Sequence, residues 1–232
     1  MRLLRQKETD FNYERTNFMK FTFDLSGNGI PLIKEYDIDS ETSIADGEVV
    51  GLADGKVVKA DDADVVLGVA AEEHTGVRDE LNARNNGTRI RVIISPDAVY
   101  GVQAKAYIAS AGTENTIVVP SDGLSVGVTS GYAVLIRKAE NSLNTDKIGS
   151  KRRISSCSIS GKAATLTVEA GSISCDGDVY MLIPEVAGEM QLDNTGLGVC
   201  FFRQDSACKF KTVAVSEDYK TIFVKINGSV FA

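Results

Sequence analysis

The only histidine in the chain, His74, stands in Ala71-Glu72-Glu73-His74-Thr75-Gly76, next to two carboxylates. An imidazole beside carboxylates has the makings of a general base. At the end of an expected strand, however, it reads as a solvated turn histidine. The four cysteines, Cys157, Cys175, Cys200 and Cys208, include no C-x-x-C pair, and their gaps do not follow zinc-ligand spacing. An even count could form two disulfides, but a cytoplasmic origin keeps thiols reduced, and buried free thiols are the expectation. Cys200 and Cys208 are the pair to watch under oxidation. Asp37, Asp39, Glu41 and Glu48 imitate positions 1, 3, 5 and 12 of a calcium loop, with Ile44 at the usual apolar position. Thr42 stands where that loop needs glycine, and strands rather than helices flank it, so a solvated acidic loop is expected. No phosphate-cradling glycine loop, G-x-S-x-G elbow or H-E-x-x-H motif occurs. A carboxylate pair of the glycosidase kind, drawn from 32 acids, has no positive support. The expectation is a protein that is not an enzyme and holds no metal or cofactor.

The elements around these residues read as strands. Turn residues recur every eight to twelve positions and no long 3.6-residue apolar period is visible, which points to an all-β chain. The organising stretch is residues 45–76, ADGEVVGLADGKVVKADDADVVLGVAAEEHTG. Its apolar runs Val49-Val50, Val57-Val58 and 65–71 are separated by Asp46-Gly47, Asp54-Gly55 and an acidic corner, Asp61-Asp62-Ala63-Asp64. Asp-Gly between β-branched runs is a strong hairpin signal, so three antiparallel strands are expected here. Further strands are expected at residues 18–23, 31–36, 88–94, 102–107, 117–119 and 132–137. Together they make a barrel or sandwich between Phe18 and Lys138.

Residues 139–151 are polar and read as a linker, with the basic triplet Lys151-Arg152-Arg153 solvated at its exit. The competing reading is a surface loop inside one larger domain. Beyond it, expected strands at 154–159, 164–168, 179–183, 197–202, 210–215 and 221–226 suggest a small Ig-like sandwich over 152–232. The absence of Trp removes the usual hallmark of that fold.

Formal net charge is −7, and residues 37–80 hold 13 Asp and Glu against Lys56, Lys59 and Arg78. That balance argues against nucleic acid as a partner. No apolar run approaches the roughly 18 residues of a membrane span, so no membrane partner is expected. The first residues lack the apolar core of a signal peptide, which suggests a protein made in a cytoplasm. Residues 1–17 mix both signs of charge with few apolar side chains. They read either as an ordinary tail or as an arm that orders on a neighbouring subunit, anchored by Leu3, Leu4, Phe11 and Tyr13.

The organising stretch resembles the head-decoration, or cement, proteins of tailed bacteriophages. The matching residues are 47–50 (GEVV), 56–60 (KVVKA) and 68–73 (GVAAEE), and the likeness extends over about 18–138. The resemblance implies a small β-barrel or β-tulip-like decoration domain followed by the appended Ig-like domain. It further implies a virion protein on the capsid exterior that binds the major capsid protein, stabilises the shell and self-associates as a trimer. In that arrangement residues 18–138 attach and 152–232 project outward. The alternative is a structural or receptor-binding module of a phage tail or baseplate.

Overall fold

The computed structural model describes residues 19–25, 29–60, 65–75, 87–122, 124, 130–186, 189–192, 199–200 and 210–226. The strands, in chain order, begin with β1 (Lys20–Asp24), β2 (Ile33–Asp37), β3 (Val49–Ala53), β4 (Lys56–Lys59), β5 (Val65–Ala70) and β6 (Arg89–Ile93). There follow β7 (Ala98–Gln103), β8 (Ala106–Ile108), β9 (Ala111–Thr113), β10 (Thr116–Pro120), β11 (Tyr132–Arg137) and β12 (Lys151–Ser160). The last six are β13 (Ala163–Val168), β14 (Val179–Ile183), β15 (Glu189–Leu192), β16 (Val199–Cys200), β17 (Phe210–Val215) and β18 (Thr221–Ile226). The protein is all-β: no helix occurs among the described residues, and the strands form three antiparallel sheets.

The organising stretch folds as its sequence predicts. Ala53 lies opposite Lys56, so Asp54 and Gly55 form a two-residue turn, with φ of 50° and 79°. Positive φ at both central residues is the hairpin geometry that matches strand twist, and Asp-Gly supplies it at low steric cost. β3 is then paired by β4 on one side and β5 on the other, within a five-stranded sheet ordered β2-β6-β5-β3-β4. Alternation sorts its side chains into two cores. Val49, Val66, Val69 and Ile93 join the main core, whereas Val50, Val57, Leu67, Ile90 and Val92 face a smaller one. Ile38 and Ile44 close the smaller core through isolated bridges to Val57 and His74.

The other two sheets depart from the sequence-based expectation. The seven-stranded sheet runs β8-β14-β11-β12-β13-β10-β9, and the six-stranded one β1-β7-β18-β17-β15-β16. No closed barrel forms among the described strands. The seven-stranded sheet nevertheless curls strongly, because its opposite edges, β8 and β9, are joined by Ala109 and Ser110 alone. The expected strand over 102–107 is broken at Ala104-Lys105. There the chain leaves one sheet and enters another, with Ala104 N–H donating to Lys220 O and Leu182 N–H to Lys105 O.

The expected division into two domains is corrected by these ladders. β11 takes β12 and β14 as partners, β10 takes β13, β8 takes β14, and β7 takes β18. β12 to β14 therefore complete the curled sheet, and β17 and β18 complete the sheet begun by β1 and β7, so the described residues of 152–232 form no separate Ig-like sandwich. Residues 139–150 are a loop between paired strands, and Lys151, Arg152 and Arg153 lie inside the ladder opposite Val134, Ala133 and Tyr132. The main core is continuous across the supposed boundary, from Tyr100, Tyr107 and Leu135 to Ile154, Leu166, Tyr180 and Phe210.

Candidate interaction surface

Between β1 and β2 the chain shows an unusual run of exposed apolar side chains. Leu25 is 51% exposed, Ile30 79%, Leu32 52% and Ile33 42%. The backbone is hydrogen-bonded at Leu25 and Leu32. Leu25 N–H donates to Asp97 O at 3.0 Å, Leu32 N–H to Ser95 Oγ, and Ile94 N–H to Leu32 O at 2.9 Å. Ile33 then opens β2, whose ladder among the described residues is with β6; its other side is the edge of the five-stranded sheet and meets β4 just past the end of β2, at the Ile38–Val57 bridge. Bare edges invite pairing with other chains, and charged side chains commonly guard them. Here Lys34, Glu35 and Asp37 follow the apolar run, and Arg89 reaches Glu35 at 3.6 Å and Asp37 at 3.5 Å. The edge is therefore apolar at its start and charged along its length. Leu25 and Ile30 are not among the residues singled out from the sequence; the signal available was four large apolar residues in a Gly- and Pro-containing segment, LSGNGIPLI.

The residues singled out for chemistry fall elsewhere. His74 is no solvated turn residue: it is 2% exposed. Its Nδ1 lies 2.6 Å from Thr42 O and its Nε2 2.8 Å from Gly87 O, while its backbone exchanges two hydrogen bonds with Ile44. Both ring partners are carbonyls, which only accept. A neutral ring has one N–H and satisfies one of them, whereas a doubly protonated ring donates to both. The ring thus fastens the crossing segment around Ile44 to the start of β6. Glu48 also turns inward, its Oε2 accepting from Ala45 N–H at 2.8 Å and its Oε1 3.2 Å from Lys59 Nζ, off hydrogen-bonding geometry. Asp39 instead faces solvent beside Lys56, so the acids that imitate a calcium loop do not converge. Among the described residues no group of three or more His, Cys, Asp or Glu is placed to hold a metal ion.

A second buried polar set locks one end of the curled sheet. Asp178 is fully buried; its Oδ1 accepts from Ala139 N–H at 3.0 Å, and its Oδ2 from Asn144 Nδ2 at 2.9 Å and Cys175 N–H at 3.1 Å. Burial pushes this carboxyl up, but the hydrogen bonds from Ala139, Asn144, Ser142 and Cys175 outweigh it and hold the group below the ordinary carboxylate value. Asn144 also donates to the Tyr180 hydroxyl at 3.0 Å, a phenol that burial raises. Arg152, only 4% exposed, donates from Nε to Glu169 O, from Nη1 to Ser172 O and from Nη2 to Glu114 O. The expectation of a solvated basic triplet fails at this residue, because the curled sheet turns Arg152 inward under the loop that carries Gly171. The set ties residues 139–150 to 169–178; it pairs no nucleophile with a base.

Cys157 is buried, and that burial raises its thiol, while Cys175 is half-buried and its Sγ accepts from Leu143 N–H at 3.2 Å. The Cys200 side chain and Cys208 lie outside the described residues, as do the four expected arm anchors, Leu3, Leu4, Phe11 and Tyr13. No helix among the described residues is long and apolar enough to cross a membrane. No family model, curated protein or solved structure matches the chain.

Proposed function

We propose that this protein is a structural component of a phage virion that binds the outer surface of the capsid and stabilises it, as a head-decoration protein. The observation that carries the reading is the set of exposed side chains Leu25, Ile30, Leu32 and Ile33 at the start of the β2 edge. That sheet is also built from the stretch resembling cement proteins. Exposed apolar side chains on a hydrogen-bonded backbone meet a partner with little ordering cost. A stable contact with the major capsid protein needs roughly 1,000 Å² of buried surface, so the run forms its centre and the charged length of β2 its rim. Self-association into trimers, with Leu3, Leu4, Phe11 and Tyr13 as arm anchors, supplies the remaining area. The earlier assignment of attachment to residues 18–138 and projection to 152–232 gives way to a division by sheet. The five-stranded sheet faces the shell and the curled sheet stands away from it.

Co-sedimentation with undecorated capsids tests this reading. The wild-type protein is expected to pellet with capsids, and Leu32→Asp with Ile33→Asp to lower occupancy at least tenfold without changing the melting temperature. Equal pelleting of wild type and variant would overturn the assignment of the surface, and no pelleting of either would overturn the function.

A further inference from the structure

The outer face of the six-stranded sheet carries a feature that the shell contact does not use. Where β1, β7 and β18 lie side by side, a cleft of about 570 Å³ opens among Lys20, Thr22, Gly101, Gln103, Lys220 and Thr221. Strand register explains it. Lys20 and Phe223 flank Gly101 from either side, and Thr221 lies opposite Gln103. The middle of the first row therefore has no side chain.

Glycine inside a strand weakens it, and it often marks a close approach. Two other strand glycines are explained by packing: a Cβ on Gly68 would sit 2.1 Å from Ile93 O, and one on Gly112 2.6 Å from Thr116 O. Gly101 has no positive φ, and a Cβ there would meet only side-chain atoms at first, Thr22 Oγ1 at 3.2 Å and Thr221 Cγ2 at 3.3 Å. Neither backbone shape nor a backbone neighbour calls for glycine at this place. What Gly101 provides is the cleft floor.

The chemistry of the walls is consistent. Lys20 and Lys220 are exposed, and Lys220 Nζ pairs loosely with Asp218 Oδ2 at 3.8 Å, while Asp218 Oδ1 accepts from Ser216 Oγ and Lys220 N–H. On the same face Lys225 lies directly opposite Lys211, with Glu189 next along that row. Like charges placed opposite one another on a sheet cost stability. Lysines thus gather on one face of a chain whose net charge is −7. Along the same cleft, Thr22, Thr221 and Gln103 can each donate and accept, as a polyhydroxylated ligand requires. The volume falls within the range of small-ligand sites.

We propose that this cleft binds an acidic saccharide. Its carboxylate lies between Lys20 and Lys220, its hydroxyls meet Thr22, Thr221 and Gln103, and a longer chain continues toward Lys225 and Lys211. The inference rests on this face alone and is independent of the shell contact.

The test is calorimetry on the full chain with digalacturonate, sialyllactose and a sulfated heparin disaccharide, against lactose and inorganic phosphate. At least one acidic saccharide is expected to bind ten times more tightly than lactose and than phosphate. Lys20→Gln and Lys220→Gln should each weaken that binding about tenfold, in line with the loss of a charge-assisted hydrogen bond. Gly101→Ala, which keeps every charge and fills the floor, should weaken it comparably while the melting temperature confirms the fold. The proposal is overturned if no acidic saccharide binds, if phosphate binds equally well, or if folded Gly101→Ala binds like the wild type.

Discussion

The five-stranded sheet and the two larger sheets use the same kinds of strand, yet the chain draws them from different spans: one continuous stretch for the first, both halves of the chain for the others. Every strand of the smaller sheet comes from residues 33–93, and most of its ladders join near neighbours: β3 with β4 across a two-residue turn, β5 back onto β3, and β6 onto β5; β2 alone reaches across the whole span, with Ile33 opposite Ile93. The larger sheets are interleaved. Gln103 lies opposite Thr221, Ile117 opposite Leu166, and Leu135 opposite Tyr180. The β3, β4 and β5 ladders need only short loops closed, whereas β2 on β6 and the interleaved sheets hold only when distant segments have met. The difference also separates roles: the contiguous sheet presents the apolar edge, and the interleaved sheets form the main body of the core.

The strongest way to break this comparison is truncation. A chain ending at Lys138 keeps all five strands of the contiguous sheet but strips β7, β8, β10 and β11 of C-terminal partners. It is expected to lose the cooperative thermal transition of the whole protein. A single cooperative melt near the full-length temperature would instead restore two independent domains.

Next in size is the lock on the curled sheet. Asp178→Ala leaves Ala139 N–H, Asn144 Nδ2 and Cys175 N–H without their acceptor. At about 1–3 kcal/mol per buried orphan, partly relieved by water, a loss of about 4 kcal/mol in urea unfolding is expected. The same carboxylate makes stability depend on acid. Its folded pKa lies below the unfolded one, so its contribution is full above an unfolded value of roughly 3.9 and is lost as pH falls through the lower folded value. Asp178→Asn should remove that part of the acid dependence, which unfolding curves at successive pH values would read.

His74 is the counterpart in the contiguous sheet. His74→Ala removes the ring partner of the Thr42 and Gly87 carbonyls; because Gly87 is exposed and water can replace the ring there, a cost of about 1–2 kcal/mol is expected. His74→Gln, able to donate to one of them, should recover part of it. Equal melting of His74→Gln and His74→Ala would show that neither carbonyl relies on the ring.

The smallest effect is expected at the guard of the edge. Arg89 and its partners Glu35 and Asp37 are all more than half exposed, so Arg89→Ala should change stability by less than about 0.5 kcal/mol. A larger loss would mean that this row of charges carries structural weight.

What the sequence disclosed follows the same divide. Asp54-Gly55 between Val50 and Val57 predicts its own hairpin because turn and strands are adjacent in the chain. Alternation in 163–168 and 221–226 predicts β13 and β18, for it tells which side chains are buried. Alternation does not say which strand lies next door, so the polar segment 139–150 looked like a tether rather than a loop pinned by Asp178. Nor could it show that Ile44 crosses over His74, or that the sheet curls Arg152 inward. The apolar edge went unread for a related reason. Leu25 and Ile30 sit among Gly, Asn and Pro, where turn residues mask exposure until neighbouring strands are placed.

The most direct test of the capsid reading is electron cryo-microscopy of undecorated capsids mixed with the purified protein. The account predicts ordered density on the outer shell in threefold clusters, with Leu25, Ile30, Leu32 and Ile33 at the capsid contact and the curled sheet pointing outward. Undecorated shells, or density that meets the capsid through the curled sheet, would contradict it.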